Sequence, residues 1–189
     1  MNPSDDLSRL RLEYTDHARR LTRSDIYSWF NTANLFGIQQ RQRATLVLLK
    51  LHEITALDHL RVLEMGCGAG RVLVEILDFG ASPENLYGVD LLPDRLSVAH
   101  RRLPGSHFVN ADGSHLPFPT QSFDLVLQYT AISSILDQEL RHDICADMLR
   151  ILKPSGMILS YDFWLNPTNP QTRGIRPAET CPFLRQGRL

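Results

Sequence analysis

The sequence has little that would place it among disulfide-rich, metal-binding or membrane-spanning proteins. Its three cysteines, Cys67, Cys145 and Cys181, are odd in number and no two are spaced as CxxC. This pattern indicates neither a disulfide framework nor a zinc site, so we expect reduced thiols in a cytoplasmic protein. No apolar run approaches the roughly 18 residues that a spanning helix needs. The amino terminus lacks the apolar core of a signal peptide.

An excess of charge is absent as well. The 20 basic and 21 acidic side chains leave a net charge of −1, which gives no long-range attraction to nucleic acid or to an anionic membrane. We therefore expect no nucleic-acid partner and no membrane span. With 43% apolar and 22% charged residues, the composition is typical of a globular chain with one sizeable core.

The pattern of apolar residues divides the chain into three parts. Residues 1–57 are predicted to form a helical cap or lid, residues 58–164 an α/β core, and residues 165–189 an irregular, proline-rich tail. Within the first part, helical spacing predicts helices over 5–22, capped by Ser4, and over 38–56. The apolar segment 26–36 between them is either a lid over an apolar substrate or a packing segment.

The central part alternates short apolar runs with amphipathic stretches. Strands are predicted over 60–65, 86–89, 107–109, 123–127 and 157–163, helices over 71–79, 93–102 and 140–152, and a turn at 154–156. This alternation predicts a doubly wound, mostly parallel sheet flanked by helices.

The most informative stretch is a glycine-rich loop between the first strand and its helix. It reads Glu64-Met-Gly66-Cys67-Gly68-Ala-Gly70, and such loops bind ligands in doubly wound folds. The glycines follow G-x-G-x-G, which differs from the dinucleotide pattern G-x-G-x-x-G, and no lysine of a P-loop follows. A carboxylate at Glu64 suits loop amides or a ligand ammonium group and would repel a pyrophosphate.

Two further acidic turns follow the next two strands. Asp90 ends the second strand, where a carboxylate can bind both hydroxyls of a ribose. Asp112 and Gly113 follow the third strand, where they either meet an adenine amino group or form a turn for backbone reasons.

Taken as a set, E-x-G-x-G-x-G, G-V-D-L, N-A-D-G and S-F-D-L-V-L-Q over about residues 38–163 resemble the Rossmann-like (class I) S-adenosylmethionine-dependent methyltransferases. The resemblance implies a transferase that binds S-adenosylmethionine and releases S-adenosylhomocysteine. In such a protein Glu64, Gly66, Cys67, Gly68 and Gly70 would surround the methionine part of the cofactor. The ribose and adenine contacts would fall to Asp90, Leu91, Asp112 and Gly113, and Gln128 would lie beside the sulfonium. Tyr14, Tyr27 and Arg41 are candidates for a contact from the amino-terminal part.

The methyl acceptor is expected to be a small molecule. The fourth strand lacks the Asn/Asp-Pro-Pro-Tyr sequence that similar enzymes use on bases or glutamine, and the neutral charge agrees. Methyl transfer is an in-line displacement that positioning can accelerate, so the sequence identifies no catalytic residue. His115, His142 and Tyr129 are candidate bases, and no metal is expected.

The carboxyl-terminal part departs from the family pattern. About 26 residues follow Phe163, and they include four prolines that disfavour strand pairing. We therefore expect the last strands of the fold to be missing, and the fifth strand to be an open edge unless the tail or an oligomer covers it. The alternative to an enzyme is a non-catalytic cofactor-binding or interaction module.

Overall fold

Five parallel strands form a single sheet in this computed structural model, which describes residues 2–21, 27–165 and 169–175. The strands are β1 (Val62–Met65), β2 (Leu86–Asp90), β3 (His107–Asn110), β4 (Phe123–Tyr129) and β5 (Leu152–Tyr161). Their order is β3–β2–β1–β4–β5, with every neighbouring pair parallel. The predicted doubly wound fold is confirmed. The order reverses between β1 and β4, and the crevice at that reversal is where such sheets bind ligands.

Five α-helices accompany the sheet in the described residues. They are α1 (Pro3–Leu21), α2 (Thr32–Leu51), α3 (Arg71–Asp78), α4 (Pro93–Arg102) and α5 (Gln138–Ile151). Apolar side chains from the two faces of β1 show how they cover it. Leu63 belongs to one buried cluster with Ile144 of α5, while Val62 belongs to another with Leu73 of α3. Successive strand residues point to opposite faces, so helices on both sides shield both faces of the sheet from solvent.

The two amino-terminal helices begin earlier than the sequence pattern predicts. Asn2, not Ser4, caps α1, because its Oδ1 accepts from Asp5 N at 2.9 Å. In α2 the cap is Asn31, whose Oδ1 accepts from Ala33 N at 3.0 Å. The helix therefore starts at Thr32 instead of residue 38 and continues through Gly37.

The carboxyl-terminal strand also differs from its prediction. The proposed turn at residues 154–156 lies inside β5, where the register against β4 shifts between Phe123 and Leu125. A proline is tolerated there because an edge strand does not need every amide for pairing. Among the described residues β4 is the only partner of β5, so one edge of the sheet has no described partner. Most of the predicted irregular tail lies outside the described residues.

The expectation of reduced thiols is correct for Cys67, which is free and buried. It is wrong for Cys145, which is disulfide-bonded. In the part of the chain that the structure describes, no helix has the length and apolar character to cross a membrane.

Candidate active site

A cavity of about 1320 Å³ opens at the carboxyl ends of β1, β2 and β4. Its floor is the loop between β1 and α3, and residues of α1 and α2 line the opposite side. It therefore occupies the crevice at the reversal of strand order, where strand ends and loop amides are free to meet a ligand.

The glycine loop on the cavity floor is fixed by its backbone. Gly66, Gly68 and Gly70 all have left-handed φ angles, of 71°, 53° and 72°, which residues with a side chain rarely adopt. The amides of Gly66 and Cys67 donate to Val89 O at 2.8 and 2.9 Å. These bonds tie the loop to β2 and hold the backbone close to the cavity.

Substituting Gly66 by alanine tests this requirement. A Cβ there would lie 2.6 Å from Ala131 Cβ, so both steric overlap and the positive φ oppose it. We expect Gly66→Ala to lower the free energy of unfolding by about 2–4 kcal/mol in urea titrations. The matched control is Gly37→Ala, where no atom lies within 4 Å of the added carbon and the helix should gain up to about 1 kcal/mol. Equal effects of the two substitutions would contradict this account.

Asp90 joins the loop to the end of β2. Its Oδ2 accepts from Gly68 N at 2.7 Å and its Oδ1 from Leu92 N at 2.9 Å. The side chain is buried, and it lines the cavity. A carboxylate can accept about four hydrogen bonds, so acceptor capacity remains for the hydroxyls of a ligand.

Glu64 is a buried carboxylate with an unsatisfied oxygen. The residue is 2% exposed and lines the cavity, and its Oε2 has no hydrogen-bond partner. Burial, followed by the negative charges of Asp90 and Glu75, raises the pKa of Glu64 well above its usual value. Arg41 opposes this shift but is itself paired with Glu75. An unsatisfied buried carboxylate is costly, and a cationic ligand group in the cavity would relieve that cost.

Most of the residues predicted to hold the cofactor meet around this cavity. The predicted residues in its wall are Glu64, Gly66, Cys67, Gly68, Asp90, Leu91 and Asp112. Burial raises the pKa of the Cys67 thiol, so it stays neutral. Asp112 also stabilises a turn, which was the alternative to an adenine contact, because its Oδ1 accepts from Ser114 N at 2.9 Å. The predicted cofactor contacts stay predictions.

Three predicted residues lie outside the cavity wall. A Cβ on Gly70 would meet Ala99 Cβ at 3.2 Å, and one on Gly113 would meet Met65 Cε at 2.0 Å. These glycines therefore allow close packing. The buried side chain of Gln128 is engaged away from the cavity, since its Nε2 donates to Asp162 Oδ2 at 2.9 Å. The neighbouring residue, Tyr129, points to the opposite face of β4 and into the cavity.

Tyr14, Tyr27 and Arg41, the candidates from the amino-terminal part, all line the cavity. Helix α1 is held over it by the buried Asp6, whose Oδ2 accepts from Leu136 N and Asp137 N, each at 2.8 Å. These bonds connect the helix to the segment after β4.

The sequence analysis missed Arg95 altogether. Its guanidinium Cζ lies 3.5 Å from the position of a Cβ on Gly68 and 4.8 Å from the centre of the Tyr14 ring. Arg95 lies in the first turn of α4, shortly after Asp90 at the end of β2. This nearness to a strand end was the one sequence signal that could have indicated it. A ligand on the glycine loop must share this space with the guanidinium.

Aromatic side chains from β4, from β5 and its end, and from the segment before α2 line the cavity, and we call this group the aromatic wall. Its members are Tyr27, Tyr129, Tyr161 and Phe163. Residues 27 and 28 of the proposed lid segment line the cavity, while Trp29, Phe30 and Phe36 are exposed. Ile26 lies outside the described residues.

Of the three candidate bases, only Tyr129 reaches the cavity; His115 and His142 do not line it. The Tyr129 hydroxyl is hydrogen-bonded to Thr45 Oγ1 at 2.6 Å. Burial raises the pKa of Tyr129 to about 12, which disfavours it as a base near neutral pH. Within the described ranges no group of three or more His, Cys, Asp or Glu side chains is placed to share a metal ion.

Comparison with known proteins extends these observations. The model of a methyltransferase domain matches residues 62–156, about half of the chain. The ubiquinone/menaquinone biosynthesis C-methyltransferase UbiE of Geobacter sulfurreducens is 27% identical over 94% of this chain and 65% of its own. A phthiotriol/phenolphthiotriol dimycocerosates methyltransferase of Mycobacterium ulcerans is 37% identical over 58% of this chain and 39% of its own.

A solved structure of a SAM-dependent methyltransferase from Methanosarcina mazei is also similar. It superimposes with a TM-score of 0.54 at 25% identity, over 61% of this chain and 58% of that one. The chain thus spans less than two thirds of the length of the curated relatives named above. The family match covers β1 to the middle of β5, which includes the glycine loop and Asp90. The chain therefore belongs to the Rossmann-like family of S-adenosylmethionine-dependent methyltransferases.

Proposed function

We propose that the protein transfers a methyl group from S-adenosylmethionine to a small-molecule acceptor whose body is largely apolar. The observation that carries this proposal is one continuous cavity. It is lined by the glycine loop, by Asp90, by the unsatisfied carboxylate of Glu64 and by the aromatic wall.

The residues on and around the glycine loop fit the polar parts of the cofactor. Asp90 offers acceptors for the ribose hydroxyls, and the buried carboxylate of Glu64 lacks a partner that the cofactor's ammonium group would supply. When bound, the cofactor supplies an activated methyl group on its sulfonium. The chain's own contribution is to position the two reactants and to exclude water from them.

The acceptor atom needs no strong base in this proposal. Tyr129, with its raised pKa and its hydrogen bond to Thr45, is the only candidate base at the cavity. An acceptor atom that is already nucleophilic reacts without a proton being removed first. The aromatic wall suits an acceptor with aromatic or aliphatic carbon. Two similar proteins are named as methyltransferases of ubiquinone/menaquinone biosynthesis and of phthiotriol derivatives, and these names support such an acceptor.

An activity assay tests the proposal. The protein is incubated with S-adenosylmethionine labelled in its methyl group and with organic-solvent and aqueous extracts of cells. We expect label to enter a compound of the organic fraction, and the transfer to be lost in Asp90→Ala. A protein that binds S-adenosylhomocysteine but labels nothing in either fraction would contradict the enzyme and favour the non-catalytic module.

We also propose an oligomeric state and a compartment for the protein. The open edge of β5 among the described residues agrees with an oligomer in which a second copy covers it. The cytoplasm is the proposed compartment.

A further inference from the structure

The outer side of α2 exposes apolar residues that the described part of the chain leaves uncovered. Helix α2 buries Thr45 and Leu49 against the core. On the opposite side Phe36 is 62% exposed, Val47 is 51% exposed and Leu51 is 71% exposed. Just before the helix, Trp29 and Phe30 are 64% and 98% exposed. Large apolar side chains that stand together in water mark an interaction surface.

Much of the exposed surface of α2 lies on the side that faces away from the core. Six of the exposed positions, starting from Phe36, are spaced so that an α-helix brings them to the side opposite Thr45 and Leu49. Leu46 and Leu48, which are 46% and 42% exposed, lie on either side of these six. We call the six positions the α2 stripe; it consists of Phe36, Gln40, Arg43, Val47, Lys50 and Leu51. Its members are apolar, neutral or basic.

The charge of this region has one sign. Residues 27–52 contain Arg41, Arg43 and Lys50 and no acidic residue. Arg41 is turned inward and pairs with Glu75, whereas Arg43 and Lys50 are exposed. The near-neutral net charge of the whole chain conceals this local excess. An occupant of the stripe must therefore offer both apolar volume and negative charge.

A second copy of the chain does not meet this requirement. In a symmetric dimer the same patch faces itself, so Arg43 and Lys50 would be brought close to their own equivalents. Like charges in an interface are unfavourable. An anionic lipid surface offers acyl chains for the aromatic and aliphatic side chains and phosphates for the basic ones.

We propose that α2 and the preceding Trp29 and Phe30 dock the protein on an anionic lipid membrane. The helix would lie in the membrane surface, with the α2 stripe towards the lipid. The next side of the same helix lines the cavity through Ala33, Gly37 and Ile38. Docking would thus place the cavity beside the membrane, where an acceptor dissolved in lipid can reach it. Only this last step rests on the proposed function.

Co-sedimentation with vesicles tests the docking. We expect the protein to sediment with vesicles that contain phosphatidylglycerol and to stay in solution with vesicles of phosphatidylcholine alone. Binding should weaken as salt is added, because salt screens the attraction of Arg43 and Lys50 to the phosphates. The measurement needs neither cofactor nor acceptor, so its result is separate from the result of the activity assay.

Substitutions locate the contact. We expect Phe30→Ser combined with Phe36→Ser to lower the affinity for anionic vesicles at least about tenfold, since each removes an aromatic ring from the lipid. Neither side chain lines the cavity, so binding of S-adenosylhomocysteine should be unchanged. The control is Leu12→Ser on α1, which is 71% exposed and away from the stripe.

Three results would overturn the proposal. The first is the absence of sedimentation with either vesicle. The second is equal binding to neutral and anionic vesicles, because the basic residues would then contribute nothing. The third is a stable dimer in light scattering that the double substitution dissociates, which would show that a second copy occupies the stripe.

Discussion

Replacing Asp90 with alanine should weaken the binding of S-adenosylhomocysteine at least about tenfold, which corresponds to about 1.4 kcal/mol. The proposed ligand loses the carboxylate that accepts its ribose hydroxyls. The glycine loop also loses an anchor, because Asp90 Oδ2 no longer accepts from Gly68 N. Both changes act in the same direction. Calorimetric titration of the two proteins measures the difference directly.

The controls separate ligand binding from folding. Asp94→Ala removes the same charge from an exposed position of α4 that does not line the cavity, and it should leave binding unchanged. Asp90→Asn keeps the shape of the side chain and one acceptor oxygen, but its NH2 group would face a backbone N–H that the carboxylate now accepts from. This variant should therefore also bind S-adenosylhomocysteine more weakly. Thermal unfolding shows whether each variant is folded. A folded Asp90→Ala that binds as the parent does would remove Asp90 from the site.

The bounds of an element could be predicted from the sequence where a nearby residue marks its start. Helix α4 has the predicted bounds because Pro93 suits a first turn. The start of α2 was wrong because its cap, Asn31, lies within an aromatic stretch and because Gly37 resembles a terminator. The turn predicted at residues 154–156 was wrong because a strand at a sheet edge tolerates an irregular register, which depends on its neighbour and not on its own sequence.

The site shows a similar limit. Sequence places residues at strand ends, and it brought Glu64, Asp90 and Asp112 to the same cavity. It does not fix which of two adjacent residues faces that cavity. Gln128 and Tyr129 alternate across β4, and the sheet pairing decides between them. Arg95 was missed because its place over Gly68 depends on how α4 packs against the loop.

Glu64→Gln should stabilise the free protein and weaken cofactor binding, two effects of opposite sign. The pKa of Glu64 is raised because the carboxyl is buried and lies near Asp90 and Glu75. An acid whose pKa is higher folded than unfolded binds more protons in the folded state. Stability is therefore highest below the unfolded pKa of about 4.3 and falls as pH rises from there to the raised pKa.

Glutamine removes this dependence because it never ionises. The free energy of unfolding of Glu64→Gln should exceed that of the parent by about 1–3 kcal/mol at a pH where the parent carboxylate is ionised, and the difference should shrink at acid pH. Urea titrations over a pH series measure it. Glu84→Gln, an exposed change of the same kind, should have no such effect.

The same substitution should weaken ligand binding, because the proposed ligand has an ammonium group. A carboxylate pairs with that group and an amide does not, so Glu64→Gln should bind S-adenosylhomocysteine at least about tenfold more weakly at a pH where the ligand's ammonium group is charged. The ligand should also draw the carboxyl into its ionised form, so the parent should release a proton on binding and the variant should not. Calorimetry in buffers of different ionisation enthalpy detects that proton. If Glu64 only supported the loop, its replacement would change stability and affinity in the same direction, and no proton would accompany binding. Opposite signs together with proton release would show that the carboxylate is kept, at a cost to the fold, for the cation it binds.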